Sequence, residues 1–192
     1  MNNVYERYVA KGTAVRNLRT FVDKNIGVGV FDEKMEELEP NYNKLILSSG
    51  WYNAYYVKVL MEQVSGELGW TLRKLCLEFN EFSLKQDLNS LYKFFLKVGG
   101  PVRVLASAPQ LVKTYTNSLT YEVSMNDKGL HQGLVRAPEV FAEWNLNMFE
   151  GSINGILKTL EKRIDSFEVL DKNSYQEDDG TWIRYSVRII YT

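Results

Sequence analysis

Through residues 14–115 the hydrophobic positions recur every third or fourth residue, which is the spacing of one face of an α-helix. The first predicted helix covers residues 14–26, with Thr13 as its N-cap. Asp32 is predicted to cap a short acidic helix that ends before Pro40. The same spacing predicts three further helices: one that includes Tyr52, Tyr55 and Tyr56, one that starts near Thr71, and one at 88–98.

The sequence Gly99-Gly100-Pro101 interrupts this pattern abruptly. Two glycines are suited to end a helix, and proline is favoured in the first turn of the next one, because its missing N–H would be unpaired there. Pro109 is predicted to break or shift that next helix. We therefore expect two apolar helices that turn sharply at the glycines and pack together. The aromatic side chains around them either fill a core or line a cavity.

The pattern changes after residue 116. Hydrophobic residues alternate with polar ones over 117–136, which predicts a β-hairpin whose turn lies at 126–129. Pro138 then opens a long predicted helix over 139–163. A second hairpin is predicted over 164–192, with the polar segment "DKNSYQEDDGT" as its loop.

This order of elements predicts an α+β fold, in which a helical layer packs on a roughly four-stranded antiparallel sheet. The chain has 192 residues, few prolines, no internal repeat and no Gly/Ser-rich linker. We therefore expect a single domain over residues 1–192.

The composition is that of an ordinary globular protein, with 45% hydrophobic and 24% charged residues and a formal net charge of −1. So small a net charge gives no strong field to attract nucleic acid. The single cysteine, Cys76, excludes an internal disulfide and fits a reducing compartment. No signal-peptide pattern is present, and the longest uncharged stretch, 45–57, is too short to span a bilayer. We expect a cytoplasmic protein that binds no nucleic acid and has no membrane span.

Motifs that carry catalytic chemistry are missing. The sequence has neither a G-x-S-x-G nucleophile elbow nor a Gly-rich phosphate-binding loop. The carboxylates of "DEKMEELE" and "QEDDG" are most simply a solvated helix face and a turn, although two carboxylates in one cleft would allow acid–base chemistry. With one histidine in the chain, a histidine metal cluster is excluded. The sequence therefore predicts a protein that is not an enzyme and that has no metal site and no cofactor.

Three segments carry a resemblance to known families: "GWYNAYYVKVL" at 50–60, "LYKFFLKVGGPVRVLASAPQLVKTY" at 91–115, and the stretch from "FEGSINGILKTLEKRIDSFEVL" to "DDGTWIRYSV" at 149–187. Together they resemble an uncharacterised Myxococcales-type bacterial domain family. That family is similar to 4-vinyl-reductase-like ligand-binding domains, to the haem nitric-oxide-binding domain and to subunits of the transport protein particle (TRAPP). The resemblance implies helices packed on an antiparallel sheet, often as a dimer, with an apolar cavity between them for a small hydrophobic ligand, haem or an acyl chain.

His131 and Cys76 are the two residues that this resemblance brings into question. In the haem-binding relatives a histidine on a helix holds the iron, whereas His131 follows a predicted turn in a predicted strand, "KGLHQG". We interpret it as an ordinary strand or surface histidine. Cys76 shares a helix face with Leu72 and Phe79 and is interpreted as a small buried hydrophobe, with acylation, which the transport-particle likeness implies, and thiol reactivity as alternatives.

Two glycines, Gly151 and Gly155, lie one turn apart in the long predicted helix, where each costs about 1 kcal/mol relative to alanine. Close approach of another backbone is the usual compensation. We expect the helix to pack on the sheet there, with a dimer contact or a pocket wall as the alternative.

The aromatic residues are the best indication of a binding site, because ligand pockets are mostly apolar with a few polar groups. Arg103, one turn after Pro101, is placed to meet an anionic head group near a helix N-terminus. The predicted ligand-binding residues are Trp51, Tyr55, Phe94, Arg103, Trp144 and Phe149, and Cys76 is the predicted site of any modification.

The sequence thus predicts a cytoplasmic sensory or binding module that holds a small hydrophobic ligand between helices and sheet. It is expected to act as a homodimer or through a signalling partner protein. The alternative is a protein-interaction adaptor with a filled core, similar to the TRAPP subunits. A cavity of roughly 300 Å³ or more would favour the first hypothesis, and a solid core with a large exposed apolar patch would favour the second.

Overall fold

The computed structural model of the protein describes residues 4–39, 41–87 and 100–192. The helices in chain order are α1 (Gly12–Asn25), α2 (Val30–Leu38), α3 (Ala54–Glu67), α4 (Leu72–Asp87), α5 (Ala108–Tyr115) and α6 (Ala142–Thr159). Residues 100–106 are also helical, and 3-10 turns lie at Val4–Arg7 and Glu139–Phe141. The strands are β1 (Val9–Lys11), β2 (Trp51–Asn53), β3 (Thr120–Asp127), β4 (Leu130–Pro138), β5 (Ile164–Glu177) and β6 (Gly180–Tyr191).

The last four strands form an antiparallel sheet in the order β3–β4–β6–β5, while β1 and β2 form a separate two-stranded sheet. The β3–β4 hairpin closes with Asp127 opposite Leu130, so its turn is Lys128-Gly129. Gly129 has a φ of 81°, which a tight hairpin turn of this length favours. The predicted α+β fold and the predicted hairpins are confirmed.

Helix α6 is shared by two hydrophobic clusters. Its residues Phe149, Ile153 and Leu157 pack with the buried face of the four-stranded sheet. Trp144, near the start of the same helix, packs instead with the core that α1, α3 and α4 form. One helix therefore joins the sheet to the helical layer, and it is the element around which the interior is arranged.

The two glycines of α6 mark its closest contact. A Cβ atom placed on Gly151 would lie 2.7 Å from the carbonyl oxygen of Cys76, and one on Gly155 would lie 2.4 Å from Cδ1 of Leu84. Close approach of another element is thus confirmed, but the element is α4 and not the sheet. The expectation of helix-on-sheet packing at these glycines was wrong because the sheet contacts a different face of α6.

Two predicted helix caps have other partners. The Thr13 hydroxyl donates to the carbonyl of Ser48 at 3.1 Å, and α1 starts after Lys11 without a side-chain cap. Asp32 lies inside α2 and is buried, where it pairs with Arg19 and accepts the Tyr42 hydroxyl at 2.7 Å. In both cases a tertiary contact outweighs the local capping bond.

Several boundaries differ from the prediction. Tyr52 lies in β2, and the side chain of Asn53 caps α3 by accepting from the N–H of Tyr55 at 2.8 Å. The long helix starts only at Ala142, after a 3-10 turn, and ends at Thr159. The polar segment 171–181, predicted as a loop, mostly extends the strands β5 and β6.

The region of the Gly-Gly-Pro sequence is described only in part. The predicted helix at 88–98 lies outside the described residues, and Pro40 does as well. From residue 100 onward the chain is helical to 106, and α5 then begins at Ala108 with Pro109 in its first turn. The predicted break at Pro109 is therefore confirmed. Within the described ranges, no helix is long and apolar enough to cross a bilayer.

Candidate functional site

A cavity of about 190 Å³ lies among the helices, next to α6. Its walls come from α1, α3, α4, α5 and α6, together with Ala10 of β1 and two residues of the segment that leads into β3. Most of the lining is hydrophobic, including Leu18, Met61, Phe79, Val112, Phe149 and Ile153. No charged residue is found among the described residues that line it.

A few polar side chains interrupt the apolar wall. Asn80 and Ser83 reach it from α4, and Ser152 reaches it from α6. The Ser152 hydroxyl lies 2.9 Å from Oδ1 of Asn80, and Nδ2 of Asn17 donates to Oγ of Ser83 at 2.8 Å. An apolar space with a small number of oriented polar groups is the usual chemistry of a small-molecule site.

The cavity differs from the expected one in place and in size. None of its described lining residues belongs to β3, β4, β5 or β6, so it lies within the helical layer and not between helices and sheet. Its volume of about 190 Å³ is below the roughly 300 Å³ at which ordinary ligand pockets begin. It nevertheless exceeds the roughly 150 Å³ of an engineered apolar cavity that binds benzene or xenon.

Two of the predicted ligand-binding residues line this cavity. Trp144 does so from the first turn of α6, with its indole N–H directed at the sulfur of Met61 at 3.2 Å. Phe149 lies further along the same helix, and its ring centroid is 4.4 Å from that of Tyr121 on β3. Both side chains are held by packing on either side of the space, which makes them rigid parts of its wall.

Three of the other predicted ligand-binding residues are described by the structure and do not line the cavity. Trp51 is 48% exposed on β2, where the ammonium group of Lys11 lies 4.4 Å from its ring. Tyr55 stacks on Tyr5 with the ring centroids 5.2 Å apart. Arg103 is exposed on the helical segment 100–106, and Phe94 lies outside the described residues. A role for these residues in binding stays a prediction.

His131 lies in β4, as predicted, but it is fully buried and not at the surface. Its Nε2 is 2.6 Å from the hydroxyl of Tyr121, and its Nδ1 is 3.0 Å from Oδ1 of Asn126. Burial lowers the pKa of His131 to about 4, so the ring is neutral near pH 7. A neutral imidazole with both nitrogens bonded has no nitrogen left for another partner.

Cys76 is fully buried on α4. Burial raises the pKa of its thiol, and the nearby carboxylate of Glu150 raises it further. Arg73 does not counteract this effect, because its Nε donates to Glu150 at 2.7 Å. The thiolate is therefore strongly disfavoured, and the side chain packs as a small hydrophobe. No group of three or more His, Cys, Asp or Glu side chains that could hold a metal occurs in the part of the chain that the structure describes.

Asn80 and Ser83 are cavity residues that the sequence patterns above do not single out. They continue the helix face of Cys76 at i+4 and i+7, so they are polar residues on an otherwise apolar face. That placement is a signal which the sequence did contain. What the sequence could not show is that the face borders an unfilled volume.

No family model and no curated protein matches the chain. The chain does match solved structures. An Fe(II) unliganded H-NOX protein mutant from K. algicida superimposes with a TM-score of 0.67 at 16% identity, covering 93% of this chain and 96% of its own. An oxygen-binding H-NOX domain related to soluble guanylate cyclases, in its oxygen complex, gives a TM-score of 0.67 at 19% identity and covers 95% of both chains.

The chain has the fold of an H-NOX domain. A further solved structure, described as modulating heme redox potential through protein-induced porphyrin distortion, superimposes with a TM-score of 0.64 at 18% identity, over 94% of this chain and 99% of its own. The likeness to haem nitric-oxide-binding domains is thus confirmed at the level of the fold. The comparisons lend no support to the likeness with the transport-particle subunits.

The residues present do not fit a haem held by histidine. The sequence contains one histidine, and both of its ring nitrogens are bonded to neighbours between β3 and β4. His131 is also not among the residues that line the cavity. The cavity volume of about 190 Å³ is small even for the lower end of the range of cofactor sites. This chain therefore has the fold of an H-NOX domain, but its residues do not fit a haem that is held by histidine.

Proposed function

We propose that this protein is a sensory module that binds a compact hydrophobic molecule, about the size of one aromatic ring, in the cavity among its helices. The observation that carries the proposal is a cavity of about 190 Å³ with no charged residue among its described lining. It lies in an interior where the buried side-chain nitrogen and oxygen atoms of the described residues all have hydrogen-bond partners. Cavities of similar size and lining bind benzene in other proteins.

The energetics of packing support a ligand in this position. Protein interiors are normally as dense as organic crystals, and unfilled volume destabilises a protein by roughly 24 cal/mol for each Å³. A ligand that fills the space restores the missing contacts with side chains such as Met61, Phe79 and Ile153. The free energy of unfolding should therefore rise when a suitable molecule is present.

The position of the cavity supports a sensory role. Its walls include α5, and the residue after α5, Thr116, donates its hydroxyl to the carbonyl of Val9 on β1 at 2.9 Å. A ligand that moves α5 would therefore disturb the N-terminal strand. The H-NOX fold is consistent with such a role, since one neighbour is described as oxygen binding and related to soluble guanylate cyclases. The receiver of the signal is proposed to be a partner protein or a second copy of the chain, in the cytoplasm.

Chemical denaturation with and without benzene tests the proposal. We expect saturating benzene to raise the free energy of unfolding of the wild-type protein by more than about 1 kcal/mol, in proportion to RT ln(1 + [L]/Kd). Ala108→Leu extends a side chain from α5 into the cavity and should abolish this increase. Ala14→Leu, from α1, provides a second filled variant in case the first one folds poorly.

Ala106→Leu is the matched control, because it makes the same change two residues from Ala108 at an exposed position. It should respond to benzene as the wild-type protein does. The proposal is wrong if benzene leaves the unfolding of the wild-type protein unchanged, or if the filled variants respond as strongly as the control.

A further inference from the structure

Ser83 is a polar residue of the cavity wall whose hydroxyl hydrogen no described residue accepts. It lies on α4 with only 8% of its surface exposed, and it lines the cavity. Its Oγ accepts the amide N–H of Asn17 at 2.8 Å. A serine hydroxyl is one donor and two acceptors, so this bond occupies an oxygen lone pair and leaves the hydroxyl hydrogen available.

That hydrogen has no acceptor among the described residues. The neighbouring hydroxyl of Ser152 is different, because it lies 2.9 Å from Oδ1 of Asn80 and 2.9 Å from the carbonyl of Met148. The amide group of Asn80 donates to the carbonyl of Cys76 at 2.8 Å. Of these three described side chains, Ser83 thus has a donor to offer, while Ser152 and Asn80 are already paired with protein atoms.

We propose that the ligand of this cavity carries one neutral hydrogen-bond acceptor, such as a carbonyl, an ether or an aromatic ring nitrogen, which accepts the hydroxyl hydrogen of Ser83. This inference rests on the proposed function and specifies its ligand class. The acceptor is neutral because no charged side chain is found among the described lining residues, so a carboxylate would be buried without a counter-charge. The remainder of the ligand is apolar, as the wall is.

Benzene and pyridine test the inference, because they have the same size and pyridine adds a single acceptor. Their dissociation constants are measured by NMR titration of the protein at mildly alkaline pH, where pyridine is uncharged. In Ser83→Ala, affinity for pyridine should fall about threefold to tenfold relative to the wild-type protein, which is the range for one neutral hydrogen bond. Affinity for benzene should change by less than about twofold, because benzene makes no such bond.

Ser152→Ala is the matched control, since it removes a hydroxyl from the same cavity wall that already has protein partners. It should lower the affinity for both probes by the same factor or leave both unchanged. Ser83→Thr keeps the hydroxyl and should retain the preference for pyridine over benzene that Ser83→Ala loses.

A measurement on the wild-type protein gives a result even if Ser83→Ala does not fold. The nitrogen-15 resonance of bound labelled pyridine should lie upfield of its position in a hydrocarbon solvent, because the ring nitrogen accepts a hydrogen bond. The inference is overturned if that shift is absent, or if Ser83→Ala weakens pyridine and benzene equally while benzene still binds. If neither probe binds the wild-type protein, the proposed function fails together with the inference.

Discussion

Helix α6 has the four-stranded sheet on one side and the helical layer on the other, and polar groups are buried on both sides. On the sheet side, His131 lies between Tyr121 and Asn126 with both ring nitrogens bonded. On the helical side, Ser83 accepts one bond and borders an unfilled volume. The His131 cluster is closed, in the sense that both ring nitrogens already have hydrogen-bond partners. The region around Ser83 has both unfilled space and a hydrogen-bond donor for another molecule.

This contrast between the two sides of α6 shows which kind of feature indicates a binding site in this protein. A buried histidine is a conspicuous candidate because it is the residue that could ligate a metal or transfer a proton. Here its hydrogen bonds hold the β3–β4 hairpin together, and Asn126 also donates from Nδ2 to the carbonyl of Val102 at 2.6 Å. The cavity and Ser83 are the better indication of a binding site, because the cavity has unfilled volume and the Ser83 hydroxyl can still donate a hydrogen bond.

The largest expected effect is the pH dependence of the free energy of unfolding that buried His131 causes. Burial holds the pKa of His131 at about 4, below its ordinary value near 6.5. Between these values the unfolded chain binds a proton that the folded protein does not. The free energy of unfolding should therefore fall as the pH is lowered from about 6.5 to 4, by at most about 1.4 kcal/mol per pH unit and on the order of 3 kcal/mol in total.

Urea unfolding over this pH range measures the effect, and His131→Gln is the comparison. The variant has no titrating imidazole, so its stability should depend less steeply on pH, while carboxyl groups contribute equally to both proteins. It should also bind benzene as tightly as the wild-type protein does. Equal pH slopes in the two proteins would contradict the closed cluster, and loss of benzene binding would contradict its separation from the cavity.

The next largest effect concerns the tight contact between α4 and α6. Gly151→Ala places a Cβ atom 2.7 Å from the carbonyl oxygen of Cys76, so the helices must move apart. We expect the free energy of unfolding to fall by about 1 to 3 kcal/mol, despite the better helix propensity of alanine. Thermal or chemical denaturation measures the change.

Gly66→Ala is the matched control for Gly151→Ala. Gly66 is exposed in α3, and a Cβ atom there meets nothing within 4 Å. The control should gain up to about 1 kcal/mol from helix propensity. If both substitutions stabilise the protein, the two helices are not in the close contact described.

The smallest effect separates two tryptophans. Trp51→Phe changes an exposed ring that keeps its contact with Lys11, so stability should change by no more than about 0.5 kcal/mol and benzene affinity should not change. Trp144→Phe alters the cavity wall and removes the N–H directed at Met61, so it should shift benzene affinity by about threefold or more. Equal effects on affinity would contradict the placement of the site.

Much of the fold could be predicted because many of its helices and strands bury one face and expose the other, and this produces a regular pattern of hydrophobic residues. In β6, Ile183, Tyr185, Val187 and Ile189 alternate with more exposed residues, and this alternation predicts a strand. The outer part of β5 gives no such pattern, because both of its faces are largely exposed, and it was predicted to be a loop. The caps at Thr13 and Asp32 failed for a different reason, since tertiary partners took their side chains.

The candidate site could be predicted only in part. Trp144 and Phe149 were found as aromatic residues of a long helix, and they do line the cavity. Trp51 and Tyr55 have the same residue character, but their neighbours place them elsewhere. A cavity exists where side chains from five helices fail to fill the space between them. No local pattern records that failure, because it depends on how distant segments pack.

Methyl NMR during a toluene titration locates the bound molecule, because it reports each side of α6 separately. We expect saturable shifts, with one dissociation constant, for the methyl groups of Leu18, Met61 and Ile156, which line the cavity. The methyl groups of Ile183 and Ile189, which pack on the sheet side, should shift much less. Shifts confined to the sheet side or to surface methyl groups, or no saturable shift at all, would contradict a ligand site among the helices.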